Sequence, residues 1–321
     1  MLFRSDNTHV FAIHGNFDDA QTGVKRIFND DDFAKKLAEK GIKLSSANSI
    51  NVGRLVPQVA YYVYSYLKLI AEGALKVGEP MNVVVPTGNF GNILAAYYAR
   101  LMGVPIAKFL CASNDNKVLT DFIRSGSYDI RGDVRKFYCT NSPSMDILIS
   151  SNLERLLYLL TGEDDAQIRE WFTALSETGT YEVTDAVKTA LQKDFFGGFC
   201  DDAATKATIH QVYETYGYTC DTHTAVAVKV YQDYRKATGD TTKTLIASTA
   251  SPYKFSPSVL EAIAKEPVSG DEYAMVDQLH ELSNLPIPAA LADLKNKERR
   301  FTSCIDKNDL QSFVLQQLHL G

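Results

Sequence analysis

The sequence has no Cys-x-x-Cys pair, and its five cysteines, Cys111, Cys139, Cys200, Cys220 and Cys304, are scattered and odd in number. That excludes a disulfide framework and a cysteine zinc site, and it fits reduced thiols in a cytoplasmic protein. Histidine is also scarce: six residues, none at metal-ligand spacing, so no metal is expected. Positive charge is not in excess. Lys and Arg number 33 against 39 Asp and Glu, a net −6, which argues against a nucleic-acid or anionic-membrane surface. No apolar run is long enough for a membrane span: the longest, Val59 to Ala71, is rich in tyrosine and broken by Lys68. The first residues, Met1-Leu2-Phe3-Arg4-Ser5-Asp6-Asn7, have no apolar signal core. Internal repeats and low-complexity segments are missing as well. What remains is an ordinary globular chain of 321 residues, long enough for two domains.

The stretch Asn82 to Arg100 organises the chain. Val83-Val84-Val85 is an unbroken β-branched run and predicts a strand buried on both faces. Pro86 ends it, since it has no N–H for a ladder. Thr87-Gly88-Asn89-Phe90-Gly91-Asn92 follows, then an apolar helical run with Ile93, Leu94, Ala96, Tyr97 and Leu101. Strand, glycine loop and helix start form an anion-binding geometry, because the free N–H groups of the first turn and the positive end of the helix dipole point at the ligand. The loop is neither a P-loop nor a Rossmann fingerprint. The plainer reading is a tight turn with Asn92 capping the helix.

A second segment, Ser46-Ala47-Asn48-Ser49-Ile50-Asn51 with Arg54, leads into a long helix with Leu55, Val59, Tyr62, Val63, Tyr66, Leu67 and Ile70 at helical spacing. Asn48, Asn51 and Arg54 are three apart; on a helix they would share a face and make a second anion site, Arg54 gripping a phosphate through two N–H groups. Alternatively Asn48 or Ser49 caps the helix and Arg54 pairs with a surface carboxylate. Pro57 falls inside this helix or in its first turn.

Strands are expected over Val10 to Ile13, Ile106 to Ala112, Lys136 to Thr140 and Lys243 to Thr249, the last of them buried. Asp18 or Asp19 is a candidate cap for a helix carrying Val24, Ile27 and Phe28, and a further helix runs from Asp32 to Lys40. Helices dominate from Asn152 to about Tyr216, with Gly197-Gly198 as a break and Trp171 in the core. Thr222 or His223 begins a helix over Ala225 to Lys236, a place where a histidine is more often structural than catalytic. The hydroxyls of Ser248, Thr249 and Ser251 sit at the carboxyl end of a strand, where open α/β sheets bind ligands; turn chemistry before a helix near Pro257 is the alternative.

Taken together, Ser46 to Asn51 with Arg54, Pro86 to Asn92, and Thr249-Ala250-Ser251-Pro252-Tyr253-Lys254-Phe255 resemble threonine synthase of the long bacterial and fungal type, in matching order and separation. Gly15-Asn16-Phe17-Asp18-Asp19-Ala20 and Ser142 to Ile147 extend the resemblance over about Phe11 to Ile263. It implies an α/β fold of the fold type II pyridoxal phosphate enzymes, similar to tryptophan synthase β, with parallel sheets flanked by helices. It implies residues 1–77 as a remnant of a small domain with its linking helix, and residues 78–321 as the cofactor domain with a helical insertion at about 150–216. The implied activity is conversion of O-phospho-L-homoserine and water to L-threonine and phosphate. By the same resemblance Gly88, Asn89, Phe90, Gly91 and Asn92 hold the phosphate of pyridoxal 5′-phosphate, Thr249 faces its pyridine nitrogen, and Asn48, Ser49, Asn51 and Arg54 hold the substrate phosphate.

The family's Schiff-base lysine lies in a segment similar to Phe-Lys-Asp, upstream of everything in this chain. Lys108 and Lys254 sit in other contexts. The chain therefore resembles the C-terminal two-thirds of the enzyme, and Met1 reads as an internal methionine, a false start or the start of one half of a split gene. Alone it is expected to be inactive and to expose an unpaired sheet edge; a complementing N-terminal fragment is the expected partner. The alternatives are a non-catalytic remnant that binds a small phosphorylated ligand or partner chain, and another fold type II enzyme such as an amino-acid dehydratase.

Overall fold

The computed structural model describes residues 8–15, 17–264, 268–298 and 300–320. Elements are numbered along the chain. β1 (Ala12–His14), α1 (Phe17–Phe28) and α2 (Asp31–Ala38) open it. Asp30 caps α2 by accepting the Phe33 N–H, with Asp31 and Asp32 in the first turn. Asp18 and Asp19 lie inside α1, and of Val24, Ile27 and Phe28 only Ile27 is buried.

The anticipated long helix is built in three pieces: α3 (Val52–Leu55), a 3₁₀ turn (Val56–Gln58) and α4 (Val59–Ala71). Pro57 occupies the 3₁₀ turn, where its missing N–H breaks no α-helical bond. β2 (Met81–Pro86), α5 (Gly91–Leu101) and β3 (Ile106–Ser113) then form a parallel crossover unit. All six residues of β2 are buried. Val83 and Val85 face one core with α4 and α5, and Val84 faces the other with α11 (Thr222–Thr238), which is why the run needs no polar alternation.

α6 (Val118–Ser125) follows, and then β4 (Ser127–Asp129) pairs antiparallel with β5 (Thr180–Glu182). The strand expected over Lys136 to Thr140 does not form. Its N–H groups bond to side chains instead: Tyr138 to Asn116 at 2.9 Å and Thr140 to Asp146 at 2.8 Å. α7 (Leu153–Leu160), α8 (Asp165–Thr178), α9 (Asp185–Asp194) and α10 (Asp202–Tyr216) make the helix-rich stretch, with Trp171 buried. Gly197 and Gly198 are not a break; they lie within β6 (Phe195–Phe199). A Cβ on Gly197 would meet the Thr120 Cα at 2.9 Å, and one on Gly198 the Val230 side chain at 2.7 Å, so close packing of α6 and α11 requires them.

β7 (Thr244–Ile246) completes a four-stranded parallel sheet of order β6-β3-β2-β7. It is a half-buried edge, not the buried strand expected, because it has one neighbour. A 3₁₀ turn (Pro252–Phe255), α12 (Ser256–Ile263) and α13 (Glu272–Ser283) pack beyond it. The chain closes with α14 (Ala289–Ala292), β8 (Cys304–Asp306) and α15 (Leu310–Gln317).

Packing divides the chain into two units, residues 46–284 and residues 1–45 with 285–321. Neither seam coincides with the expected boundary at residue 77. In the smaller unit β1 pairs parallel with β8 over a core of Ile27, Phe33, Leu37 and Leu310. No helix among the described residues is long and apolar enough to cross a membrane. No group of three His, Cys, Asp or Glu among them could hold a metal ion.

Candidate anion and cofactor site

The glycine loop leaves β2 at its carboxyl end and enters α5 through Phe90, whose φ of 63° is left-handed. A bulky residue adopts that backbone only when its surroundings hold it there. Here the Phe90 ring is buried 5.9 Å from that of Phe195. Phe90, not Asn92, is therefore the cap residue; the Asn92 side chain accepts a hydrogen bond from the Tyr62 hydroxyl.

Two carbonyls of the loop are drawn outward. Ser150 Oγ donates to the Gly88 carbonyl at 2.8 Å, and Asn152 Nδ2 donates to the Asn89 carbonyl at 2.8 Å. In a trans peptide the N–H points opposite to the C=O, so the amides of Asn89 and Phe90 turn the other way. Among the described residues, the N–H groups of Gly88 to Ile93 donate to no protein acceptor. They border a cavity of about 270 Å³, whose other walls include Ser49, Ser144, His223, Thr249 and Lys254. Both glycines are fixed by close approach: a Cβ at Gly88 would stand 2.9 Å from the Ser144 carbonyl oxygen, and one at Gly91 would stand 2.3 Å from Ser49 Oγ.

The segment before α3 is placed differently from the expectation. Helix begins at Val52, so Asn48, Asn51 and Arg54 do not share a helical face. Asn51 is the cap, accepting the Gly53 N–H at 2.9 Å. Asn48 closes a turn, accepting from Ser46 Oγ at 2.6 Å and from the Ile50 N–H at 3.0 Å. Neither Asn48 nor Ser49 caps α3. Ser49 reaches the small cavity, and Arg54 lines an adjoining cavity of about 900 Å³ that shares Gln58, Asn92 and Thr249 with it. No carboxylate among the described residues pairs with Arg54.

Thr249 borders both cavities, and its hydroxyl takes no hydrogen bond among the described residues. Several residues that sequence reasoning passed over hold the site together. Arg155 donates to the Ser49 carbonyl at 3.0 Å and the Ile50 carbonyl at 2.7 Å, tying that segment to α7. His223, in the first turn of α11, accepts the Ser144 N–H at Nε2. Asp221 caps α11 and faces His223 Nδ1 at 3.3 Å. Burial alone would raise Asp221, but hydrogen bonds from His223 and Thr224 outweigh it and hold the carboxyl below its usual range. The cap signature of Asp221 before a helical run was the one available signal for this group.

The family model described as "Threonine synthase, C-terminal" matches residues 224–314. The human protein "Threonine synthase-like 1" is 43% identical over 97% of this chain and 42% of its own length. Threonine synthase of Methylobacillus glycogenes is 39% identical over 82% of this chain and 53% of its own. The crystal structure of PLP-bound threonine synthase from Brucella melitensis superposes with a TM-score of 0.77 at 35% identity, covering 97% of this chain and 60% of that one. The yeast enzyme gives 0.76 at 30%, covering 96% and 59%. A parallel α/β sheet flanked by helices, shared with these structures, is the fold of the fold type II pyridoxal phosphate enzymes. Within that class the chain belongs to the threonine synthase family. It spans about two-fifths to three-fifths of the length of the relatives it matches.

Proposed function

We propose that this chain is the phosphate-gripping part of a threonine synthase, an enzyme that converts O-phospho-L-homoserine and water to L-threonine and phosphate. The observation that carries the reading is the row of unclaimed N–H groups from Gly88 to Ile93 around a cavity that Thr249 also lines. This fits pyridoxal 5′-phosphate. Gly88, Asn89, Phe90, Gly91 and Asn92 would hold the cofactor phosphate at the start of α5, and the Thr249 hydroxyl would meet the pyridine nitrogen. When bound, the cofactor supplies an electron sink that stabilises a carbanion on the substrate.

The protein's own part is binding, orientation and charge compensation. Arg54, which no carboxylate among the described residues pairs with and which lines the adjoining cavity, would grip the substrate phosphate, with Ser49 beside it. Asn48 and Asn51 would act by shaping this segment, since their side chains are committed to turn and cap. Residues 1–77 and 78–321 would correspond to small-domain and cofactor-domain parts of the longer enzyme. No lysine here has the context of the family's cofactor-bearing one, so the isolated chain is expected to be inactive, in a cytoplasmic setting, until a lysine-bearing fragment joins it.

The test is co-expression with the lysine-bearing N-terminal part of the Methylobacillus glycogenes enzyme, followed by assay of phosphate release from O-phospho-L-homoserine. Release by the pair and none by the chain alone supports the reading. Borohydride fixation of pyridoxal phosphate onto a lysine of this chain, with turnover by the chain alone, overturns it. A second reading, a non-catalytic remnant or split half that binds a phosphorylated ligand, draws on the relative named threonine synthase-like; phosphate binding without turnover in any combination would favour it.

A further inference from the structure

α7 opens with two residues that serve the helix itself poorly. Asn152 stands at the cap position, yet its side chain accepts none of the helix N–H groups. Arg155 lies in the first turn, at the positive end of the helix dipole, where a cation is disfavoured. It forms no ion pair with a carboxylate among the described residues. Its acceptors are neutral: the Ser49 and Ile50 carbonyls, and Asn152 Oδ1 at 2.6 Å. A half-buried guanidinium is thus left without a compensating negative charge.

Asn152 is fully buried, and its amide is committed to the loop. A guanidinium only donates, so the amide atom against Arg155 is the oxygen and both Nδ2 hydrogens turn the other way. Nδ2 donates to the Asn89 carbonyl at 2.8 Å and to Ser49 Oγ at 3.0 Å. That carbonyl belongs to the peptide whose N–H, on Phe90, is unclaimed and turned toward the anion cavity. Two planar amides in series therefore connect Arg155 to the Phe90 N–H. A guanidinium polarises the first amide, the first polarises the second, and each bond strengthens the next. Among the described residues the cavity lining holds one Lys or Arg, the exposed Lys254.

We propose that Arg155 is the remote charge partner of a phosphoryl group bound on the Gly88 to Ile93 loop, acting through Asn152. Arg155 borders neither cavity, so it is a positioning residue that touches no ligand. An anion on the Phe90 N–H makes the Asn89 carbonyl a better acceptor, which tightens the Asn152 bond and, behind it, the Arg155 bond. The same two side chains hold Ser49, so the anion also fixes the wall that stands against Gly91. The choice of a phosphorylated pyridine as ligand rests on the threonine synthase reading; the relay itself requires only a phosphoryl group.

The probes are inorganic phosphate and pyridoxine 5′-phosphate, which has no aldehyde to react with lysines; unphosphorylated pyridoxine is the control. Each is titrated into the full 321-residue chain, with calorimetry for affinity and the Phe90 amide resonance as reporter of the loop. Arg155→Gln should weaken both phosphorylated probes about tenfold and leave pyridoxine within about twofold. Arg155→Lys keeps the charge without the planar fork and should recover part of the loss. Asn152→Ala cuts the relay and should lose as much, and Arg155→Gln added to it should cost little more. The Arg155 variants leave Asn152 in place, so the test survives an alanine variant that fails to fold. Phosphate affinity indifferent to Arg155→Gln, equal weakening of pyridoxine, additive losses in the double variant, or no phosphate binding by the parent chain overturns the proposal. Arg155-dependent phosphate binding without phosphate release by the complemented pair leaves the relay standing and removes the enzymatic reading. Phosphate release with an affinity independent of Arg155 does the reverse.

Discussion

His223 Nε2 accepts the backbone N–H of Ser144 at 3.2 Å, and through that bond the first turn of α11 holds the wall that faces Gly88. The ring also packs 4.8 Å from Phe255, next to Lys254, so one histidine joins three segments that border the anion cavity. Its role is positioning, because the nitrogen facing the cavity wall is already occupied. His223→Leu leaves the Ser144 N–H without an acceptor, a loss of about 1–3 kcal/mol. His223→Gln keeps an acceptor and should recover much of it. Isothermal titration of pyridoxal phosphate into both variants checks this; equal affinities for leucine and glutamine would remove the role.

Asp221 governs how the same corner responds to acid. Its side chain is fully buried and its carboxyl is held below 3.8. A carboxyl depressed in the folded state stabilises the fold above its unfolded value, and that contribution is lost as pH falls through the folded one. Asp221→Asn should therefore cost about 1–3 kcal/mol near neutral pH, with the difference from the parent shrinking below about pH 4. Urea unfolding of both proteins across that range would show it.

Cysteine reactivity follows burial. Cys111, Cys200 and Cys220 are buried, and burial pushes their thiols up to about 12, about 11 and about 12. Cys139 and Cys304 are exposed. A thiol reagent at neutral pH should modify those two in the native protein and all five after denaturation.

Much of this was legible before any coordinates, and the reason is local. The Val83 to Asn92 stretch carries its own instructions: an apolar run buried on both faces, a proline that ends it, and glycines where chains meet. The rest depended on partners distant in sequence. Gly197 and Gly198 look like a break until Thr120 and Val230 are seen against them. Lys136 to Thr140 has strand-like residues, but its amides are claimed by Asn116 and Asp146. Arg155 reads as an ordinary helix-surface cation; only the fold brings it to the carbonyls of Ser49 and Ile50. The shared face assumed for Asn48, Asn51 and Arg54 failed because short polar side chains prefer turns and caps to helix interiors.

Gly91 tests how tightly the two segments proposed to hold phosphate are coupled. An added methyl would stand 2.3 Å from Ser49 Oγ and 3.5 Å from Asn152 Nδ2, so Gly91→Ala must displace the Ser49 segment from the loop. Overpacking of this kind costs about 1–3 kcal/mol. Ser49→Gly in the same chain clears the side chain and should restore most of the loss. A urea-unfolding cycle of the two single variants and the double measures the coupling, and simple additivity would mean that the segments do not touch in solution.

Arg54 separates the two proposed phosphate grips. It borders the larger cavity and not the loop, so its removal should leave cofactor binding intact while weakening capture of the substrate. A guanidinium offers a phosphate two parallel N–H groups, whereas an ammonium is a point charge on a flexible stem, so Arg54→Lys should recover only part of what Arg54→Gln loses. In the complemented enzyme Arg54→Gln is expected to raise KM for O-phospho-L-homoserine by about tenfold to a hundredfold, in line with loss of a charge-assisted pair of about 1.5–3 kcal/mol. The affinity for pyridoxal phosphate should stay within about twofold, a free-energy change below 0.5 kcal/mol. A loss of cofactor affinity equal to the rise in KM would place Arg54 at the loop and contradict the assignment of two separate grips.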